Sequence, residues 1–86
     1  MASIKRLKKE VNYVLGDVIT YTLDIASLKK KRKEGNVIVD ETIDVFDELI
    51  AKVNANGIEN KKQHFNTIKI ELQKKATDLI EKVNAL

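Results

Sequence analysis

Few side chains in this chain are of the kind that moves protons, attacks carbonyls or binds metals. The only histidine is His64, beside Phe65; Ser3 and Ser27 are the two serines, and there is no cysteine. A hydrolytic relay needs a hydroxyl, an imidazole and a carboxylate within hydrogen-bond reach of one another. Nothing in the spacing of Ser3, Ser27 and His64 assembles one, so His64 is expected to be a surface residue. Asp40, Asp44, Asp47 and Glu48 put carboxylates on one helical face, and oxygen ligands suit divalent cations. The Glu-x-x-His pair of di-iron bundles is missing, however, and a solvated acidic face accounts for the ladder. The string NANGIEN, residues 54–60, imitates a calcium loop, but its alignment puts Lys52 first and Gln63 last, where carboxylates are required. No phosphate loop or dinucleotide fingerprint occurs. The expectation is a non-enzymatic protein with no catalytic residue, cofactor or metal.

Charge is the more conspicuous feature. Lys29 to Lys33 form a run of five cations, and Lys5, Arg6, Lys8 and Lys9 form a second cluster. Either could meet a nucleic acid or another polyanion through counterion release. The first run follows an apolar seam and stops at Gly35, which suits the negative end of a helix dipole closed by a C′ glycine. The second lies near a helix start, where the dipole disfavours cations, so Lys5, Arg6, Lys8 and Lys9 are the better candidates for a polyanion contact. The signal is weak: 14 of the 16 cations are lysine, and only Arg6 and Arg32 offer a bidentate fork. Aromatic residues for base stacking are not interleaved with either cluster.

The elements that carry these residues follow from periodicity. With 86 residues, 43% hydrophobic and 34% charged, the composition is that of one small globular domain, residues 1–86. Proline is absent and glycine occurs three times, which leaves little material for a strand-rich fold. Ile4, Leu7, Val11, Val14, Val18, Tyr21, Ile25 and Leu28 alternate spacings of three and four, a heptad seam that predicts a helix over about 3–34 with Ser3 as N-cap. Val39, Ile43, Phe46, Ile50 and Val53, with Val45 and Leu49 widening the stripe, predict a second helix over about 37–56, capped by Asn36 or Asp40. Its end would be a Schellman motif with Gly57 at C′, Ile58 at C″ and Val53 at C3. Asn60 with Gln63 at N3 begins a third helix, about 60–85, whose seam is Phe65, Leu72, Leu79 and Leu86, filled in by Ile68, Ala76 and Val83. Short connections make neighbours antiparallel, so the expected fold is an all-α, up-down-up three-helix bundle.

Two expectations about partners follow. The middle of the first helix is more apolar than one buried stripe requires, with Ile19 and Leu23 off the seam beside Gly16. That excess points to a homodimer formed through Gly16, Ile19, Leu23 and Ala26. No segment reaches the ~18–20 apolar residues of a membrane span, and residues 1–10 lack the apolar core of a signal peptide. A cytoplasmic location without membrane contact is therefore expected.

The opening ASIKRLKKEVNYVLGDVI (Ala2 to Ile19), FDELIAKVN (Phe46 to Asn54) and the closing LIEKVNAL together resemble small uncharacterised bacterial proteins of similar length. The resemblance implies a bacterial, all-helical protein and brings no assigned activity or site residues. A bacterial origin would also remove the reading of KKKRK as a nuclear address.

Overall fold

Three α-helices, α1 (Ile4–Leu28), α2 (Arg32–Val53) and α3 (Lys61–Asn84), make up most of residues 4–86, which are those the computed structural model describes. Among the described residues there is no strand. The helices form the expected up-down-up bundle, a rod of 47 × 17 × 16 Å in which every helix packs on both others. Leu7, Val11, Leu15 and Val18 of α1 meet Ile38, Leu49 and Val53 of α2 and Phe65, Ile68, Leu72, Leu79 and Val83 of α3 in one core. Ser3, proposed as the cap of the first helix, lies outside the described residues.

The first helix is shorter than its sequence predicts. Lys30 adopts φ 56°, the left-handed conformation that ends a helix. The Lys31 amide donates to the Ala26 carbonyl at 2.8 Å and the Lys30 amide to the Ser27 carbonyl at 3.2 Å. Those two bonds are the paired closures of a Schellman motif, with Lys30 rather than Gly35 at C′. The basic run is thus divided: Lys29 to Lys31 make the turn, and Arg32 and Lys33 open α2. Neither Asn36 nor Asp40 caps α2, because the helix has already begun; its N-cap is Lys31, which makes no side-chain capping bond.

Gly35 explains why the turn comes early. It is buried inside α2, and a Cβ built there would fall within the van der Waals shell of the Ala26 Cβ and close to the Thr22 carbonyl. Ending α1 at Leu28 lets two small residues meet where α1 and α2 diverge from their turn. The two helices can then approach closely along their whole length. Thr22 and Thr42 are buried, and each returns its hydroxyl to the carbonyl four residues back, Val18 at 2.7 Å and Ile38 at 2.8 Å. Both polar atoms are satisfied within their own helix.

The buried face of α1 is also rotated from the predicted seam. Leu7, Val11, Leu15, Val18, Thr22 and Ala26 are buried, whereas Ile4, Tyr21 and Leu28 are exposed, Leu28 by 78%. The pairs 7/18, 11/22 and 15/26 stand eleven residues apart, the repeat that an uncoiled α-helix matches more closely than seven. A heptad line drifts by ~20° per seven residues on such a helix, so a seam extended over 4–28 leaves the core at its ends. In α2 the buried positions are Gly35, Ile38, Thr42, Leu49 and Val53, so most of the predicted stripe, Val39, Ile43, Phe46 and Ile50, lies on a flank.

The second helix ends at Val53, three residues before the predicted limit. Gly57 does take a positive φ of 73°, but within the following loop and not as the C′ residue of α2. Asn60 caps α3 as expected, accepting from the Gln63 amide at 3.0 Å, and the buried face of α3 is the predicted one, with Leu86 half-buried.

Gly35→Ala should lower stability. Alanine gains ~1 kcal/mol of helix propensity, but forcing a methyl against Ala26 costs about 1–3 kcal/mol. A lower urea midpoint is expected, with partial recovery in Gly35→Ala/Ala26→Gly; an unchanged or higher midpoint in the single variant would refute the close approach.

Candidate functional site

The residues that could do chemistry are held apart. Ser27 sits in the last turn of α1 and His64 in the first turns of α3, at opposite ends of the rod. His64 is half-buried rather than on the open surface, and its Nε2 lies 2.7 Å from the Lys52 carbonyl. A carbonyl only accepts, so Nε2 carries the proton and donates it. The same carbonyl accepts from the Ala55 amide at 3.3 Å. His64 therefore secures the last turn of α2 from the first turns of α3, a structural task that accounts for its position. Its ring is tilted at 44° to that of Phe65, with centroids 5.9 Å apart.

Asp40, Asp44, Asp47 and Glu48 are exposed along α2, and among the described residues no three acidic or histidine side chains are grouped as a metal site would require. The acidic residues that do engage are on the α3 side of α2. Lys52 Nζ lies 2.8 Å from both Glu71 carboxylate oxygens and 3.3 Å from Glu48, while Lys82 pairs with Glu41. Hydrogen bonding to Glu71 holds the Lys52 ammonium above its ordinary pKa, partial desolvation opposes this, and Glu48 adds to the rise.

The α1 side of α2 is apolar instead. Asn12, Leu15, Gly16 and Ile19 of α1 and Ile43 and Phe46 of α2 line a shallow groove of about 170 Å³. Leu23, Ala26, Ser27, Arg32 and Asn36 line a second depression towards the turn. Of the four residues expected to form a self-association face, two line this groove, Gly16 with open space above its Cα and Ile19 half-buried, while Leu23, exposed by 49%, lines the second depression. Ala26 does not belong to that face, because it is 3% exposed and is spent against Gly35. Ile43 and Phe46 belong to the groove, although their sequence spacing assigns them to the core. Their heptad stripe was visible, but its facing was not. Ile43 remains 45% exposed.

The two basic clusters occupy opposite poles. At one, Lys29 and Lys31 reach the Leu86 carbonyl at 3.4 and 3.1 Å, so the turn sits over the C-terminal end of α3 as well as that of α1. Tyr21 ties the same two helices, donating to the Asn84 side-chain carbonyl at 2.6 Å. Two negative dipole ends thus face these cations. At the other pole Lys5, Arg6, Lys8 and Lys9 share the end of the rod with Lys61 and Lys62, since α1 and α3 start there together and Ile4 and Lys61 line one depression. Lys61 and Lys62 are more than fifty residues further along than Lys5 to Lys9. Only the parallel course of α1 and α3 joins them to it.

No helix among the described residues is long and apolar enough to cross a membrane. No family model matches the chain, and neither a curated protein nor a solved structure is significantly similar to it.

The Lys52 ion pair makes stability pH-dependent in a defined direction. The folded-state pKa is raised, so the contribution is complete below the unfolded lysine value of ~10.4 and is lost as pH rises through the folded one. The stability gap between the native chain and Lys52→Met should hold from neutral pH to about pH 10 and narrow above it. Denaturant titrations would show this, and a gap that persists unchanged into strong alkali would rule out the pair as a contributor.

Proposed function

We propose that this chain is a non-enzymatic helical protein of the bacterial cytoplasm that acts through protein–protein contact, with the α1–α2 groove as its working surface and a second copy as the occupant. The observation that carries this reading is the apolar character of both walls of a groove on an otherwise closed bundle. Each helix has already buried one face, yet Ile19 and Leu23 of α1 and Ile43 and Phe46 of α2 extend apolar surface beyond it. Covering such surface is favourable by ~25 cal/mol per Å². Gly16 adds to this: in the middle of an exposed helical stretch it costs ~1 kcal/mol relative to alanine. Its bare Cα leaves room for a partner's side chain.

Analytical ultracentrifugation at micromolar concentration tests the reading. The native chain should sediment at twice its 9.8 kDa mass, and Leu23→Lys/Ile43→Lys should sediment as a helical, soluble monomer. These two positions are chosen because both are already exposed, so the substitutions do little to the monomer. A native chain that stays at 9.8 kDa would end the proposal.

A second reading, binding of nucleic acid or another polyanion, is favoured by one observation. Lys61 and Lys62 join Lys5, Arg6, Lys8 and Lys9 at a pole where two helix N-termini already disfavour cations. A phosphate backbone would favour this concentration of charge. A mobility shift with nucleic acid is expected at ~50 mM salt, lost by ~200 mM, and weakened by Lys61→Gln/Lys62→Gln as well as by substitutions at Lys5 and Lys9. No shift at the lower salt would remove this reading.

A further inference from the structure

We infer that two copies meet across the groove as a parallel pair, with α1 of each against α2 of the other, and that Lys9 and Asp47 face one another across both halves of the contact. This rests on the self-association proposed above and selects its geometry. Closed two-fold symmetry allows only two ways of pressing this groove against itself. With the axis across the rods, the copies run antiparallel, and α1 meets α1 while α2 meets α2. With the axis along the rods, they run parallel, and α1 meets α2 twice.

The charges on the two rims distinguish these arrangements. Lys9, Gly16 and Leu23 are seven residues apart and follow one line along α1; Tyr13 and Thr20 lie beside it, and the line carries no acid. Asp40 and Asp47 are also seven apart, and both neighbour Ile43 on α2, at the outer lip of the groove. All three charged residues are exposed, and none makes an ion pair with another described residue. The antiparallel arrangement lays acidic rim on acidic rim, with Asp40 of one copy opposite Asp47 of the other, twice. The parallel arrangement lays the rim that carries Lys9 on the acidic one, twice.

The heights agree. Ala26 packs on Gly35, and Gly16 and Ile19 share the groove with Ile43 and Phe46, so Asp47 stands level with Val14 and Leu15. That is about 8 Å along the rod from Lys9, at 1.5 Å of rise per residue. The Lys9 and Asp47 side chains together span this offset.

Charge reversal provides the test, read by sedimentation velocity, with circular dichroism verifying that each variant remains helical. In the parallel pair, Lys9→Glu alone and Asp47→Lys alone each create two like-charge contacts and should weaken the dimer roughly tenfold. An equimolar mixture of the two variants pairs every reversed charge with its complement and should recover the native affinity as a heterodimer. If the native chain dimerises but the mixture shows no recovery, or if Asp47→Lys alone tightens the dimer by meeting Asp40, the parallel arrangement is overturned while self-association stands. A monomeric native chain overturns both.

Discussion

The contact between Gly35 and Ala26 is the constraint on which the rest of the bundle depends. A methyl group on each of two helices is normally what keeps their backbones apart, and here one of the pair is missing. The close approach it allows sits only nine residues apart in sequence, so the chain must reverse between them. That requirement places the helix stop at Lys30 and not at the glycine, which is needed on the other side of the turn. A lysine in the left-handed region is less comfortable than glycine would be. The two Schellman bonds and the small-residue contact evidently outweigh that strain.

From this contact follows the register of α1 on α2, and from the register follow the facings. Thr22 and Thr42 enter the core, and their hydroxyls are satisfied without leaving the helix. Turning these positions inward turns Ile43 and Phe46 towards the flank, where they line a groove with Gly16 and Ile19. The apolar groove is therefore a consequence of close helix packing. α3 supplies Phe65, Ile68, Leu72, Leu79 and Val83 to the core, and polar contacts add to that packing: Tyr21 to Asn84, Lys52 to Glu71, and His64 on the last turn of α2.

Electrostatics divide the rod into poles of unequal standing. Lys29 to Lys31 face the C-terminal ends of α1 and α3, so part of their charge is balanced by backbone carbonyls. The cations at the opposite end share their pole with the N-terminal ends of α1 and α3 and with only one C-terminal end, that of α2. The lysines of the turn thus reach a carbonyl at a helix end, and the cluster at the other pole is the one that invites a ligand.

The amino-acid sequence by itself determined the fold class, the number of helices, the buried face of α3 and the Asn60 cap. Each of these depends on local periodicity or on a side chain bonding within four residues. The facing of α1 and α2, the split of the basic run and the union of Lys61 and Lys62 with Lys5 to Lys9 were decided only by tertiary structure. An apolar stripe can be rotated by one residue and remain equally periodic, as Val39–Ile43–Phe46 shows. Gly35 is as plausible a helix stop as it is a packing residue until a neighbouring backbone is present. Helix propensity and spacing are properties of one segment, whereas the absence of a Cβ matters only through what lies across from it. Ala26 supplied that neighbour, and with it the register that turned an expected core stripe into an exposed groove.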